Sequence, residues 1–103
     1  MRILAKVSSG ADRLADLQAA IKQMQASLGK PDVVAAANVD GPGLDLSLQA
    51  TSGDDLTQAV EQLGPTFETL GGEVRSIAVT ADVPDGLRQR LSSLTPAISV
   101  LPN

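Results

Sequence analysis

The sequence predicts a small α+β domain assembled from two β-α-β units. The apolar positions of one amphipathic stretch recur 42 residues later in a second, with Leu14, Ile21 and Leu28 matched by Leu56, Leu63 and Leu70. Strand-like runs precede and follow each stretch, and a glycine-rich turn joins the two units. With 103 residues, of which 43% are hydrophobic, the chain is expected to form one domain with its own core.

The first unit begins with a strand over Arg2–Val7, where apolar and mixed positions alternate. A single apolar stripe at spacings of three and four then predicts a helix over residues 10–28. Ser9 fits the N-cap of this helix, with Asp12 in the complementary position, and Gly29 fits its end.

A hairpin is predicted to follow. Residues 32–39 are the candidate second strand, and Asp40-Gly41-Pro42-Gly43 has the composition of a tight turn. Leucine or alanine at every second position of residues 44–50 predicts a half-buried third strand.

The second unit repeats this plan. Ser52 fits a helix N-cap, and the apolar stripe keeps its phase through Gly64-Pro65, which predicts one kinked helix that ends at Gly71-Gly72. A fourth strand is predicted over residues 73–83.

The last residues form an extension of the same domain. Residues 1–84 contain the duplicated core, and residues 85–103 add a short helix over 86–94, a stop at Pro96 and a brief edge strand over 97–101. Two placements are open for this extension. It completes the core of its own chain, or it covers the open face of the sheet or exchanges with a neighbouring copy.

The predicted order βαββαβ over residues 2–83 resembles the split β-α-β pattern of the ferredoxin-like fold. That resemblance implies four antiparallel strands in the spatial order 4-1-3-2 with both helices on one face. Many unrelated functions use this fold, so the resemblance carries little information about activity.

The other face of such a sheet is expected to be covered, because strands two and four are weakly polar on both of their faces. The residues concerned are Ala35 and Ala37, or alternatively Val34 and Ala36, together with Ser76 and Ala78. We take Ala35, Ala37, Ser76 and Ala78 as the candidate interface.

Composition excludes several classes of function. The chain has no His, Cys, Trp or Tyr, so the usual ligands of zinc, haem and iron–sulfur sites and the usual nucleophile–base pairs are absent. The net charge is −4 with scattered basic residues, which argues against nucleic-acid binding. No apolar run approaches the ~20 residues of a membrane span. We therefore expect a cytoplasmic protein without a cofactor or metal, and not an enzyme.

Two loops are candidate ligand sites: Ser9-Gly10 and Ser52-Gly53, each before a helix whose free amides could hold a carboxylate or phosphate group. Ordinary capping is the other interpretation, and the neighbouring aspartates would repel an anion. The sequence thus predicts a protein–protein interaction module that forms a homodimer or higher homo-oligomer through its sheet face or edge, with a further protein partner possible. The alternative is a regulatory domain, similar to the ACT type, that binds a small ligand between protomers.

Overall fold

The computed structural model describes residues 1–70, 73–95 and 97–101. Its five strands are β1 (Arg2–Val7), β2 (Val34–Asp40), β3 (Gly43–Gln49), β4 (Val74–Val79) and β5 (Ile98–Val100). Its four α-helices are α1 (Leu14–Leu28), α2 (Gly53–Gln62), α3 (Gly64–Leu70) and α4 (Asp85–Ser92). The predicted helix end at Gly71-Gly72 and the predicted stop at Pro96 lie outside the described residues.

The strands form one mixed sheet in the order β2-β3-β1-β4-β5. The first four are antiparallel to their neighbours, whereas β5 runs parallel to β4. The expected α+β class is confirmed, but a four-stranded antiparallel sheet does not describe this chain. A parallel neighbour needs a crossover, and α4 supplies it, so the C-terminal segment adds a third β-α-β unit.

The core lies between one face of the sheet and the helices. Ile3 and Ala5 of β1, Leu46 of β3 and Ile77 of β4 belong to this core. The helices contribute Leu17, Ile21, Met24, Leu56, Ala59, Val60, Phe67, Leu87 and Leu91 to the same cluster. The other face of the sheet contributes none of the residues in this cluster, so within the described residues it has no helix over it.

The C-terminal segment therefore completes the core of its own chain. Leu87 and Leu91 of α4 are buried, and the Arg90 Nη1 atom lies 3.0 Å from Glu61 Oε1 of α2. This places α4 beside α2 on the helical side, not over the open face of the sheet. Of the two placements that the sequence leaves open, the structure has the first.

The helix starts show where local signals succeed and fail. The Ser52 hydroxyl accepts a hydrogen bond of 3.1 Å from the Asp55 amide, so the predicted cap of α2 is confirmed. Ser9 makes no such bond. Gly10 adopts a left-handed conformation (φ 98°), a 3-10 turn over Ala11–Arg13 precedes α1, and the Ser9 hydroxyl donates instead to the Glu73 carboxylate.

The expected single kinked helix is two helices. α2 ends at Gln62 and α3 begins at Gly64, with only Leu63 between them. The Phe67 amide still donates to the Leu63 carbonyl oxygen at 3.0 Å, and both side chains are buried. The apolar stripe thus continues across the break, as its phase predicts.

Gly43 is the position where the hairpin meets β1 most closely. A Cβ atom at Gly43 would overlap the carbonyl oxygen of Val7, which belongs to the backbone and cannot rotate away as a side chain could.

We expect Gly43→Ala to lower the free energy of unfolding by about 1–3 kcal/mol, as overpacking does elsewhere. Urea denaturation measures it. Gly86→Ala is the matched control, because a Cβ there meets nothing within 4 Å and should be neutral or slightly stabilising. Equal changes in the free energy of unfolding for the two substitutions would contradict the close approach of Gly43 to the Val7 carbonyl group.

Candidate functional site: the open face of the sheet

The open face is the side of the sheet opposite the helices. Strand register places one residue from each strand in a line across its middle: Ala36, Ser47, Leu4, Ala78 and Ser99. We call this line the central row. Four of its members are small, and the one large side chain, Leu4, is only half-buried on the central strand.

Polar residues flank the central row. On one side lie Asn38, Asp45, Lys6 and Ser76, and on the other lie Val34, Gln49 and Arg2. Lys6 and Asp45 are direct neighbours across β1 and β3, yet they form no ion pair among the residues described. The Asp45 Oδ1 atom is shielded from solvent and has no hydrogen-bond partner within the part of the chain that the structure describes. Such an atom normally has a partner, so this carboxylate is a point where something else is expected to bind.

A hollow lies over the same residues. A cavity of about 220 Å³ is lined by Leu4, Lys6, Asn38, Asp45 and Ser47, together with atoms of the neighbouring strand residues. The small side chains of the central row account for this hollow, because they leave space between the longer flanking side chains.

The candidate interface residues do not share one surface. Ala35 and Ala37 pair with Leu48 and Leu46 and face the helices, and Ala37 is only 6% exposed. Ser76 and Ala78 lie on the open face. On β2, the residues that lie on the open face are Val34 and Ala36, and not the expected Ala35 and Ala37. The sequence could not decide between the two sets because both are small and apolar.

The two candidate ligand loops lie at opposite ends of the sheet. Ser9 and Gly10 follow the end of β1, whereas Ser52 and Gly53 follow the end of β3, and these strands are antiparallel. The Ser52 hydroxyl is used in the helix cap, and Pro84 packs close to Gly53. The structure therefore does not bring the two loops together into one site.

A basic cavity beside the open face has no signal in the sequence. In β4 the register slips by one residue, so that Lys6 pairs with Ser76 and Val7 with Val74. Arg75 is the extra residue of this β-bulge, a feature that redirects side chains. Arg75 and Lys6 line a cavity of about 320 Å³ together with Ser8, Asp40 and Ser76, among others. Bulges depend on pairing between distant strands, which is why periodicity does not reveal them.

Comparison with known proteins informs the fold alone. No protein-family model matches the chain, and no curated protein matches it by sequence. The structure is similar to the crystal structure of MupZ from Pseudomonas fluorescens, with a TM-score of 0.60 over 99% of this chain and 84% of that chain. The two sequences are 11% identical, so the similarity extends to the arrangement of the backbone and not to a site.

Two further features concern the described residues. None of their helices has the length and apolar character needed to cross a membrane. Among these same residues, no group of three or more acidic side chains converges in a way that could hold a metal ion.

Proposed function

We propose that this chain is a non-enzymatic assembly module that self-associates through the open face of its sheet. The observation that carries the proposal is the central row, a line of small residues around Leu4 that no helix within the described residues covers. We also propose that β1 to β4 with α1, α2 and α3 form a ferredoxin-like core to which α4 and β5 are added.

The charges beside the central row support association with a second copy. In a two-fold interface, residue i of one copy contacts residue j of the other and j contacts i. Lys6 and Asp45 have opposite charges and form no ion pair with any described residue of their own chain. Contact of Lys6 with Asp45 of a second copy would form two ion pairs and give the orphaned Asp45 Oδ1 atom a partner.

The size of the face predicts a concentration-dependent complex. Five strands spaced about 4.8 Å apart, each contributing a few residues at about 3.3 Å, give a patch of roughly 20 by 20 Å. Two such faces bury about 800 Å² in total, which is below the roughly 1,200 Å² of stable complexes and is typical of weak, transient ones. The copies should therefore separate on dilution without unfolding.

Native mass spectrometry of the gently purified protein over a concentration series tests the proposal. A dimer or larger ring of the expected mass, whose population grows with concentration, is the expected result. Monomer alone at every concentration would contradict self-association. A reproducible additional mass would favour the second candidate function.

That second candidate is binding of a small anionic ligand, and the cavity beneath Lys6 and Arg75 favours it. Two cationic side chains and the Ser8 and Ser76 hydroxyls line this space, although Asp40 lies there as well. The cavity adjoins the open face, so a ligand in it would lie beside a second copy.

For this candidate we expect citrate or inorganic phosphate to raise the melting temperature, because a ligand that binds only the folded state stabilises it. Arg75→Ala should remove most of that increase, whereas Arg2→Ala, on the opposite flank of the central row, should leave it unchanged. A thermal-shift series with both anions measures the effect. No increase with either anion, or an equal loss in both variants, would contradict the ligand site.

A further inference from the structure

We propose that β2, at the edge of the sheet, pairs antiparallel with β2 of a second copy about a two-fold axis at Ala37, so that two sheets join into one. This interface is separate from the open face and does not rest on it.

The direction of the backbone amides of β2 follows from the pairing of the central strands. The Ala50 amide donates to the Met1 carbonyl oxygen at 3.1 Å, and the Met1 amino group donates to the Ala50 carbonyl oxygen at the same distance. Because bonded sides alternate along a strand, the even-numbered residues of β3 bond to β1 and the odd-numbered ones bond to β2. Register then makes the even-numbered residues of β2 their partners.

The odd-numbered residues of β2 consequently direct their amides and carbonyls away from the sheet. These residues are Ala35, Ala37 and Val39. Their side chains lie on the helical face while their backbone groups line the free edge. The turn agrees with this geometry, since Gly41 with φ 61° before Pro42 fits a type II′ turn between directly paired flanking residues.

This edge lacks the features that usually prevent strand addition. Residues 33–39 contain no proline and no charged side chain, and Val34 and Val39 are 53% and 50% exposed. Proteins block free edges with short strands, prolines and charges. The opposite edge has one such feature, since β5 is only three residues long. Within the described sheet, the β2 edge is the longer of the two, and its single charged residue is Asp40 at the end of the strand.

A second copy fits this edge without placing like charges directly opposite each other. Centred on Ala37, the pairing matches Ala35 with Val39, Ala37 with itself and Val34 with Asp40. Centred one residue earlier, on Ala36, it would place Asp32 directly opposite Asp40. That register sets two acidic side chains directly opposite each other, and like charges in such a pair destabilise strand pairing. The Thr51 hydroxyl donates to the Asp32 carboxylate and lowers the pKa of that group, which favours its charged form.

The test uses opposite charges at Val34, whose own-chain neighbour on β3 is the uncharged Gln49. Both substitutions are made together with Ala78→Lys, which removes association through the open face. Val34→Asp places like charges opposite Asp40 and should weaken the remaining dimer about fivefold, while Val34→Lys should strengthen it about fivefold. Sedimentation equilibrium over a concentration series measures both. The proposal would be overturned if the dissociation constant moved in the same direction in both variants, or if it changed in neither.

Amide hydrogen exchange of the Ala78→Lys protein gives a second, independent readout. The amides of Ala35, Ala37 and Val39 should gain protection as the protein concentration rises, whereas those of Ala36 and Asn38 should be protected at every concentration. If the odd-numbered amides exchange freely at the highest concentration, the edge does not pair. That outcome would not bear on the open-face proposal, because the experiment uses the Ala78→Lys protein, in which association through the open face is removed.

Discussion

We expect Ala78→Lys to separate the self-associated copies that we propose, without unfolding them. Ala78 lies in the central row beside Leu4, so a lysine there must either lose its water on association or hold the two faces apart. We expect the dissociation constant of the open-face dimer to rise about 100-fold or more, which corresponds to about 2.7 kcal/mol. Light scattering after size-exclusion chromatography measures the association, and circular dichroism reports the melting temperature.

Ala37→Lys is the matched control, since it makes the same substitution on the other face of the sheet. Ala37 is 6% exposed and belongs to the core, so a lysine there is buried without a partner. We expect it to remove several kcal/mol of a stability that is typically about 5–15 kcal/mol. An oligomer that survives Ala78→Lys, or a protein that tolerates Ala37→Lys as well as Ala78→Lys, would contradict the assignment of the two faces.

The second large effect is expected at Leu91, in α4. This helix is the crossover that connects β4 to β5, and the Leu91 side chain is completely buried in the core. Leu91→Ala should lower the free energy of unfolding by about 2–5 kcal/mol, through lost burial and the cavity left behind. Urea denaturation measures it.

Ser92→Ala is the control for that prediction, because Ser92 is exposed on the same helix and its substitution should change stability by less than about 0.5 kcal/mol. A loss below about 1 kcal/mol for Leu91→Ala would mean that α4 is an attachment to the core and not a part of it.

Strong periodicity accounts for the elements that the sequence predicts well. The stripe of α1, with Leu17, Ile21 and Met24 buried, and the alternation of β3, with Leu44, Leu46 and Leu48 buried, both follow from spacing alone. These segments are long enough, and their polar positions distinct enough, for one face to be assigned without knowledge of the fold.

Three features depend on contacts that periodicity does not contain. In β2 both faces carry small apolar residues, so only the pairing of Ala37 with Leu46 decides which face is buried. The β-bulge at Arg75 arises from the register between β1 and β4. The direction of β5 depends on the packing of α4, since a run of three residues has no intrinsic preference for a parallel neighbour.

The candidate site was therefore predictable in kind but not in its residues. The composition of strands two and four predicts a sheet face with few polar side chains, and Ser76 and Ala78 lie on that face. Leu4, Lys6 and Asp45 did not stand out in the sequence, because each is ordinary in its own strand. They become a site only where β1 and β3 place them side by side.

Intermolecular nuclear Overhauser effects test the central claim most directly. A sample mixed from isotopically labelled and unlabelled chains reports contacts between the methyl groups of different copies only. Association through the open face predicts intermolecular contacts from the Leu4 methyls to Ala36 or Ala78 of a second copy. Intermolecular contacts confined to helix residues, or none at concentrations where a dimer is present, would show that the open face is not where the copies meet.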